Sequence, residues 1–179
     1  MSTDTAFKNW INPTVVGAMA HSIRQVYLRF KISDFVEATG NFENLELKQR
    51  VEVIRKALYQ TLPQDYEEAL QILVKTSKIW KNPGFGLWPF LDFIRSYGLK
   101  HFDASMEAMR NLTPLFSAEF SVRPYLATFP KQSYSLLLRW STHEDPHIRR
   151  WCSEGTRPRL PWGERLYDAV INRTLKALF

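Results

Sequence analysis

Three prolines in this chain each follow a residue whose side chain can cap a helix: Asn12-Pro13, Thr113-Pro114 and Asp145-Pro146. A proline in the first turn removes only an N–H that has no intrahelical partner, and the residue before it can accept a bond from the next free N–H. DYEEAL adds a box-like pairing of Asp65 with Glu68. Glycine is scarce, at seven residues, and no Asn-Gly or Asp-Gly hairpin signal occurs. Between these starts the apolar residues recur at helical spacing. Val51, Ile54, Leu58 and Leu62 make one stripe, and Leu70, Leu73, Val74 and Ile79 help to make another. Leu115, Val122 and Leu126 follow, and then Leu136, Leu137 and Trp140. The pattern predicts helices near 14–30, 32–39, 44–61, 65–80, 87–97, 103–111, 115–128, 131–142, 146–154 and 164–178.

Short helices separated by brief breaks imply an all-α chain of stacked antiparallel helix pairs, a curved array with a concave surface. A closed helical bundle is the alternative. No linker or low-complexity segment interrupts residues 1–179, so a single α-helical domain is expected. No stretch approaches the roughly 20 apolar residues of a membrane span, and the N-terminus is not a signal peptide. A single cysteine, Cys152, rules out an intramolecular disulfide and a cysteine-rich zinc site. It is expected to be a buried structural residue, although its basic surroundings would also suit a nucleophile. The four histidines lack metal-protease spacing, and no glycine-rich phosphate loop or serine elbow appears.

Charge is concentrated late in the chain. Between Ser121 and Arg165 stand eight basic residues and four acidic ones, a surplus that supplies four of the six net positive charges. Seven of the eight are arginine, whose planar fork of donors fits phosphate oxygens in pairs and stacks on flat rings. Tyr125, Phe129, Tyr134, Trp140, Trp151 and Trp162 are interleaved with them. Basic groups beside rings suit a nucleic-acid backbone with a disturbed base, whereas the plainer reading places each ring in the core. Glu154 lies among the arginines. It is either an ordinary helix pair with Arg150, one turn earlier, or a carboxylate kept ionised for chemistry. Glu119, in FSAEFSVRP, raises the same question about 35 residues upstream, near the separation at which successive helix pairs present equivalent surfaces.

The run from His147 to Trp162, with SEGTRPRLPW at its core, resembles the hallmark segment of bacterial AlkC-type DNA alkylation repair proteins. LELKQRV at 45–51, GLWPFLDFI at 86–94, GLKHFDASMEAMRNLT at 98–113 and AEFSVRPYL at 118–126 extend the resemblance to about Leu166. The chain is more distantly similar to the AlkD branch. The resemblance implies HEAT-like repeats forming a concave basic groove. It also implies a 3-methyladenine DNA glycosylase acting on double-stranded DNA with alkylated bases, as a cytoplasmic monomer without metal or cofactor. Carried over by motif position, Glu154 and Glu119 are the catalytic carboxylates. Arg123, Arg149, Arg150, Arg157, Arg159 and Trp162 are the DNA contacts. The tail YDAVINRTLKALF departs from the family, so its final repeat is expected to be missing and activity is in question. A non-catalytic DNA-binding repeat protein and a protein-interaction scaffold are the other readings.

Overall fold

The computed structural model describes residues 7–166, and the expected helix at 164–178 falls almost wholly outside them. The chain divides into two compact units, one ending at Gly98 and the other beginning at Leu99. Among the described residues every regular element is helical.

The first unit opens with a 3-10 turn at Phe7–Trp10, followed by α1 (Pro13–Val26), α2 (Ile32–Thr39), α3 (Leu47–Thr61) and α4 (Tyr66–Ile79). A second 3-10 turn, Gly84–Leu87, leads into α5 (Trp88–Tyr97). The expected caps are present. Asn12 Oδ1 accepts from the Val15 N–H at 3.0 Å, and Asp65 Oδ1 accepts from Glu68 N–H at 2.8 Å. Glu46 and Gln49 form a complete capping box at the start of α3. Helix α3 packs against α2 and α5, while α1 packs against α2 and α4. Its stripe of Val51, Ile54 and Leu58, with Leu62 just beyond the helix, is buried as expected, together with Met19, Ile23, Phe35, Leu73, Phe90 and Ile94. Ile79 instead ends α4 at the surface.

Two buried residues in this unit are charged, Asp92, which pairs with Arg55 and Arg95, and Arg50. Arg50 donates to the carbonyls of Lys8 at 2.9 Å, Ile11 at 2.8 Å and Leu45 at 2.8 Å, and also to Glu43. A guanidinium can be buried when carbonyl oxygens replace its water. Arg50 thereby ties the N-terminal turn and the α2–α3 connection onto α3.

The second unit contains α6 (Phe102–Leu112), α7 (Arg123–Thr128), α8 (Pro130–Trp140) and α9 (Pro146–Gly155). Helix α7 packs on α8, and α8 on α9. Asp145 caps α9 by accepting from the His147 N–H at 2.8 Å, with Pro146 in the first turn. The helix expected at 115–128 forms only in its last six residues. Thr113 does not start it; its hydroxyl bonds back to the Met109 carbonyl at 2.8 Å and closes α6. The N–H groups of Leu115 and Phe116 both return to the Leu112 carbonyl, and those of Ser121 and Val122 to Ala118, so residues 113–122 form tight turns. The proline that starts α7 is Pro124. Leu115, one of the expected stripe residues, is exposed as a result, while Val122 and Leu126 are buried.

Candidate active site

The turns of residues 113–122 matter because they carry Glu119. Helix α9 carries Glu154 on its last turn, and the fold of the second unit brings the two carboxyl groups within hydrogen-bonding reach. These two residues are 35 apart in sequence, and their meeting is the central feature of the unit.

Their surroundings differ. Glu154 Oε2 accepts from Arg150 Nε at 3.0 Å, and its Oε1 lies 3.8 Å from Arg157 Nη2. The hydrogen bond from Arg150 is the main reason that Glu154 is held below the usual carboxylate range, with the Arg157 charge assisting. Arg150 is raised in return. Glu119 is half-buried, and burial is the largest influence pushing its carboxyl up. The hydrogen bond to Glu154, and the negative charge of that group, push in the same direction. Ser117 moderates the effect by donating its hydroxyl to Glu119 Oε2 at 3.4 Å. Of the two, Glu154 is thus the first to ionise as pH rises, and Glu119 holds its proton longer. Two carboxyl groups pushed apart in this way can divide acid and base roles.

The i to i+4 pair of Glu154 with Arg150 exists, and the same carboxylate also faces Glu119. Its side chain is 21% exposed, against 61% for Arg150 and 59% for Arg157, so a carboxylate edge lies under two accessible guanidinium groups. Arg149 and Arg159 are exposed as well. Arg149 Nη1 also donates to the carbonyls of His143 and Glu144, both at 2.7 Å, and so braces the turn before α9. Ser117 was not singled out by sequence reasoning. A serine two residues before a glutamate carries no signal until the turn brings them together.

Arg123 corrects an expectation. It is fully buried and donates to backbone carbonyls of Gly155 and Arg157, each at 3.0 Å, Pro158 at 3.3 Å, and Glu164. With no exposed surface it is not placed to contact a phosphate. Its place in the resembling motif implied a DNA contact, but the donors of Arg123 face inward.

The interleaved rings separate in the same manner. Tyr125, Tyr134 and Trp151 are buried, and Phe129 and Trp140 are half-buried. Trp140 stacks on Trp151 at 5.7 Å between centroids, and the Arg110 guanidinium lies 5.7 Å from the Trp140 ring. Trp162 alone among the six is exposed, at 58%, with φ at 65°. A bulky side chain in the left-handed region is unusual and invites a functional reading. Cys152 is buried between these elements, and burial pushes its thiol up to about 11, which leaves no reactive thiolate near neutral pH. Among the described residues no cluster of three His, Cys, Asp or Glu side chains could hold a metal ion. No helix of the described residues is long and apolar enough to cross a membrane.

The described residues form an all-α fold similar to that of a solved alkylpurine DNA glycosylase. No family model matches the chain. Its structure is similar to that of Pseudomonas fluorescens alkylpurine DNA glycosylase AlkC bound to DNA containing an abasic site analog. The TM-score is 0.87 at 28% identity, over 97% of this chain and 48% of that one. In sequence it is 36% identical over 161 residues to YhaZ of Bacillus subtilis (strain 168), an uncharacterized protein, covering 89% of this chain and 44% of YhaZ. The chain spans less than half the length of either relative.

Proposed function

We propose that this chain carries the catalytic carboxyl pair of a DNA glycosylase that hydrolyses the N-glycosidic bond of N3-methylated adenine and related cationic bases. The observation that carries the reading is the contact of Glu119 with Glu154 beneath Arg150 and Arg157. Support also comes from the AlkC structure, whose DNA holds an abasic site analog, the kind of site left after base release.

The chemistry follows from charge. A methylated adenine that already carries a positive charge leaves with the bonding electron pair as a neutral base, so no acid need protonate it. The developing sugar cation needs a negative group, and the incoming water needs a proton acceptor. Ionised Glu154 meets both needs. As the water oxygen bonds to C1′, its proton passes to the carboxylate pair. Glu119, which holds its proton longer, hydrogen-bonds Glu154 and fixes the orientation of its oxygens. Arg149, Arg150, Arg157 and Arg159 hold phosphates, and the Trp162 ring lies beside the lesion. No metal or cofactor enters this scheme, and the expected setting is a monomer in the bacterial cytoplasm.

The test is release of free 3-methyladenine from methylated duplex DNA. Glu154→Gln keeps the shape and removes the charge, and base release is expected to fall by about 10²–10³, the usual scale for losing one electrostatic stabiliser. DNA affinity should hold. A Glu154→Gln variant as active as the wild type would contradict the assignment. The Arg150–Glu154 pair also permits a second reading, a non-catalytic DNA-binding protein, in which that pair only orients a phosphate-binding arginine. That reading requires salt-dependent DNA binding with no base release.

A further inference from the structure

We infer that Arg123 is the positioning residue of the carboxyl pair, a buried clamp that sets the approach of Glu119 to Glu154. The catalytic meaning of the inference rests on the function proposed above, while the clamp itself does not.

Arg123 stands four residues after Glu119, at the first position of α7. Its guanidinium reaches across to the segment that follows Glu154. One nitrogen, Nη1, donates to the carbonyls of both Gly155 and Arg157 at 3.0 Å. Nη2 donates to Pro158 at 3.3 Å, and Nε donates to Glu164. Four carbonyls from a ten-residue stretch thus converge on one side chain. That stretch contains Arg157, Arg159 and Trp162, and it begins immediately after Glu154. Moving Arg123 moves the Glu119 turn on one side and the SEGTRPRLPW segment on the other.

Steric contact reinforces the clamp at the same point. Val122, next to Arg123, lies so close to Gly155 that a Cβ added there would meet Val122 Cγ1 at 2.9 Å. Gly163 is confined less tightly, with its virtual Cβ 3.2 Å from Leu160 and 3.3 Å from Arg123 Cδ. The loop backbone at Gly155 and Gly163 therefore packs closely against the Val122–Arg123 junction. No smaller or unbranched cation reproduces this. Lysine has three donors on a single atom, whereas the planar guanidinium directs donors toward several carbonyls at once. The first unit uses the same device in Arg50, whose carbonyl partners lie at residues 8, 11, 43 and 45 and outside the carboxyl site. Arg50 therefore serves as a control for the general effect of removing a buried arginine.

The experiment is a carboxyl-carbon NMR titration of the full chain labelled at glutamate, assigned with Glu119→Gln and Glu154→Gln. In the wild type the two resonances should titrate as a coupled pair, Glu119 high and Glu154 low. In Arg123→Lys the coupling should disappear, with both groups returning toward the ordinary glutamate range. Arg50→Lys should leave it intact, even if its melting temperature falls as far. This readout needs no enzymatic activity, so it can fail or succeed independently of the glycosylase reading. A folded Arg123→Lys chain with the pair still coupled would overturn the inference. If Arg123→Lys does not fold, Gly155→Ala decides, since it wedges the same junction with the guanidinium retained. Loss of coupling there supports the junction as the positioning element, and unchanged coupling overturns it. Where base release is measurable, Arg123→Lys should lose about 10²-fold in rate, the scale of an ångström-sized misplacement.

Discussion

Glu119 and Glu154 have the same side chain in opposite surroundings. Glu119 sits in a half-buried turn against another acid, and Glu154 sits under two arginines. Their effects on stability run in opposite directions with pH. Glu154, held low, adds stability above its ordinary range near 4.5, and this is lost as pH falls through its lowered value. Glu119, held high, costs stability as pH rises from that ordinary range through its raised value, because the folded state resists losing the proton. Glu119→Gln should therefore raise the melting temperature at pH 7 relative to wild type and change it less at pH 4, on the acid side of the range in which Glu119 loses its proton. A melting series at the two pH values checks this, and a larger gain at pH 4 would contradict the assigned burial. The same substitution should slow base release, a trade of activity for stability often seen at functional sites.

The elements differ in how openly their residues announce them. Asp145 is plain in sequence, because an acid followed by proline before an amphipathic stretch has one economical use, and it caps α9. Asp145→Ala should lower stability by about 1 kcal/mol, the usual cost of losing a cap. Chemical denaturation would check this, and a change well within about 0.5 kcal/mol, the usual range of surface substitutions, would argue against the cap. Thr113-Pro114 has the same pattern with a different outcome, since the Thr113 hydroxyl prefers a carbonyl one turn back. Local sequence cannot rank two hydrogen-bond partners that compete for one hydroxyl. Arg123 was illegible for a related reason. An arginine among arginines looks like surface charge, and only the four carbonyls around it show otherwise. Helical periodicity, by contrast, was readable at Val51, Ile54 and Leu58, because one face of α3 is buried along its length. The candidate carboxylates were legible as two residues on equivalent surfaces, but their direct approach was not. Their contact depends on the turns at 113–122, where periodicity gives no guidance.

At the scale of the molecule, the arginines divide into two populations. Arg50 and Arg123 are interior clamps, one in each unit. Arg149, Arg150, Arg157 and Arg159 are exposed and available to phosphates. Their contribution to DNA binding should therefore differ. Arg157→Ala and Arg159→Ala should each lower the logarithmic salt slope of duplex binding by roughly one, as expected when one phosphate contact is lost. Equilibrium binding at several salt concentrations checks this, and an unchanged slope in both variants would exclude them as phosphate contacts. The central claim is that Glu154, paired with Glu119, breaks the glycosidic bond. It is tested most directly by measuring free 3-methyladenine released from methylated duplex DNA by this chain and by its Glu154→Gln variant, with DNA binding measured alongside. Release by the wild type and its loss in the variant, at similar affinity, is the expected result. Equal release by both, or binding by the wild type without any release, would contradict it.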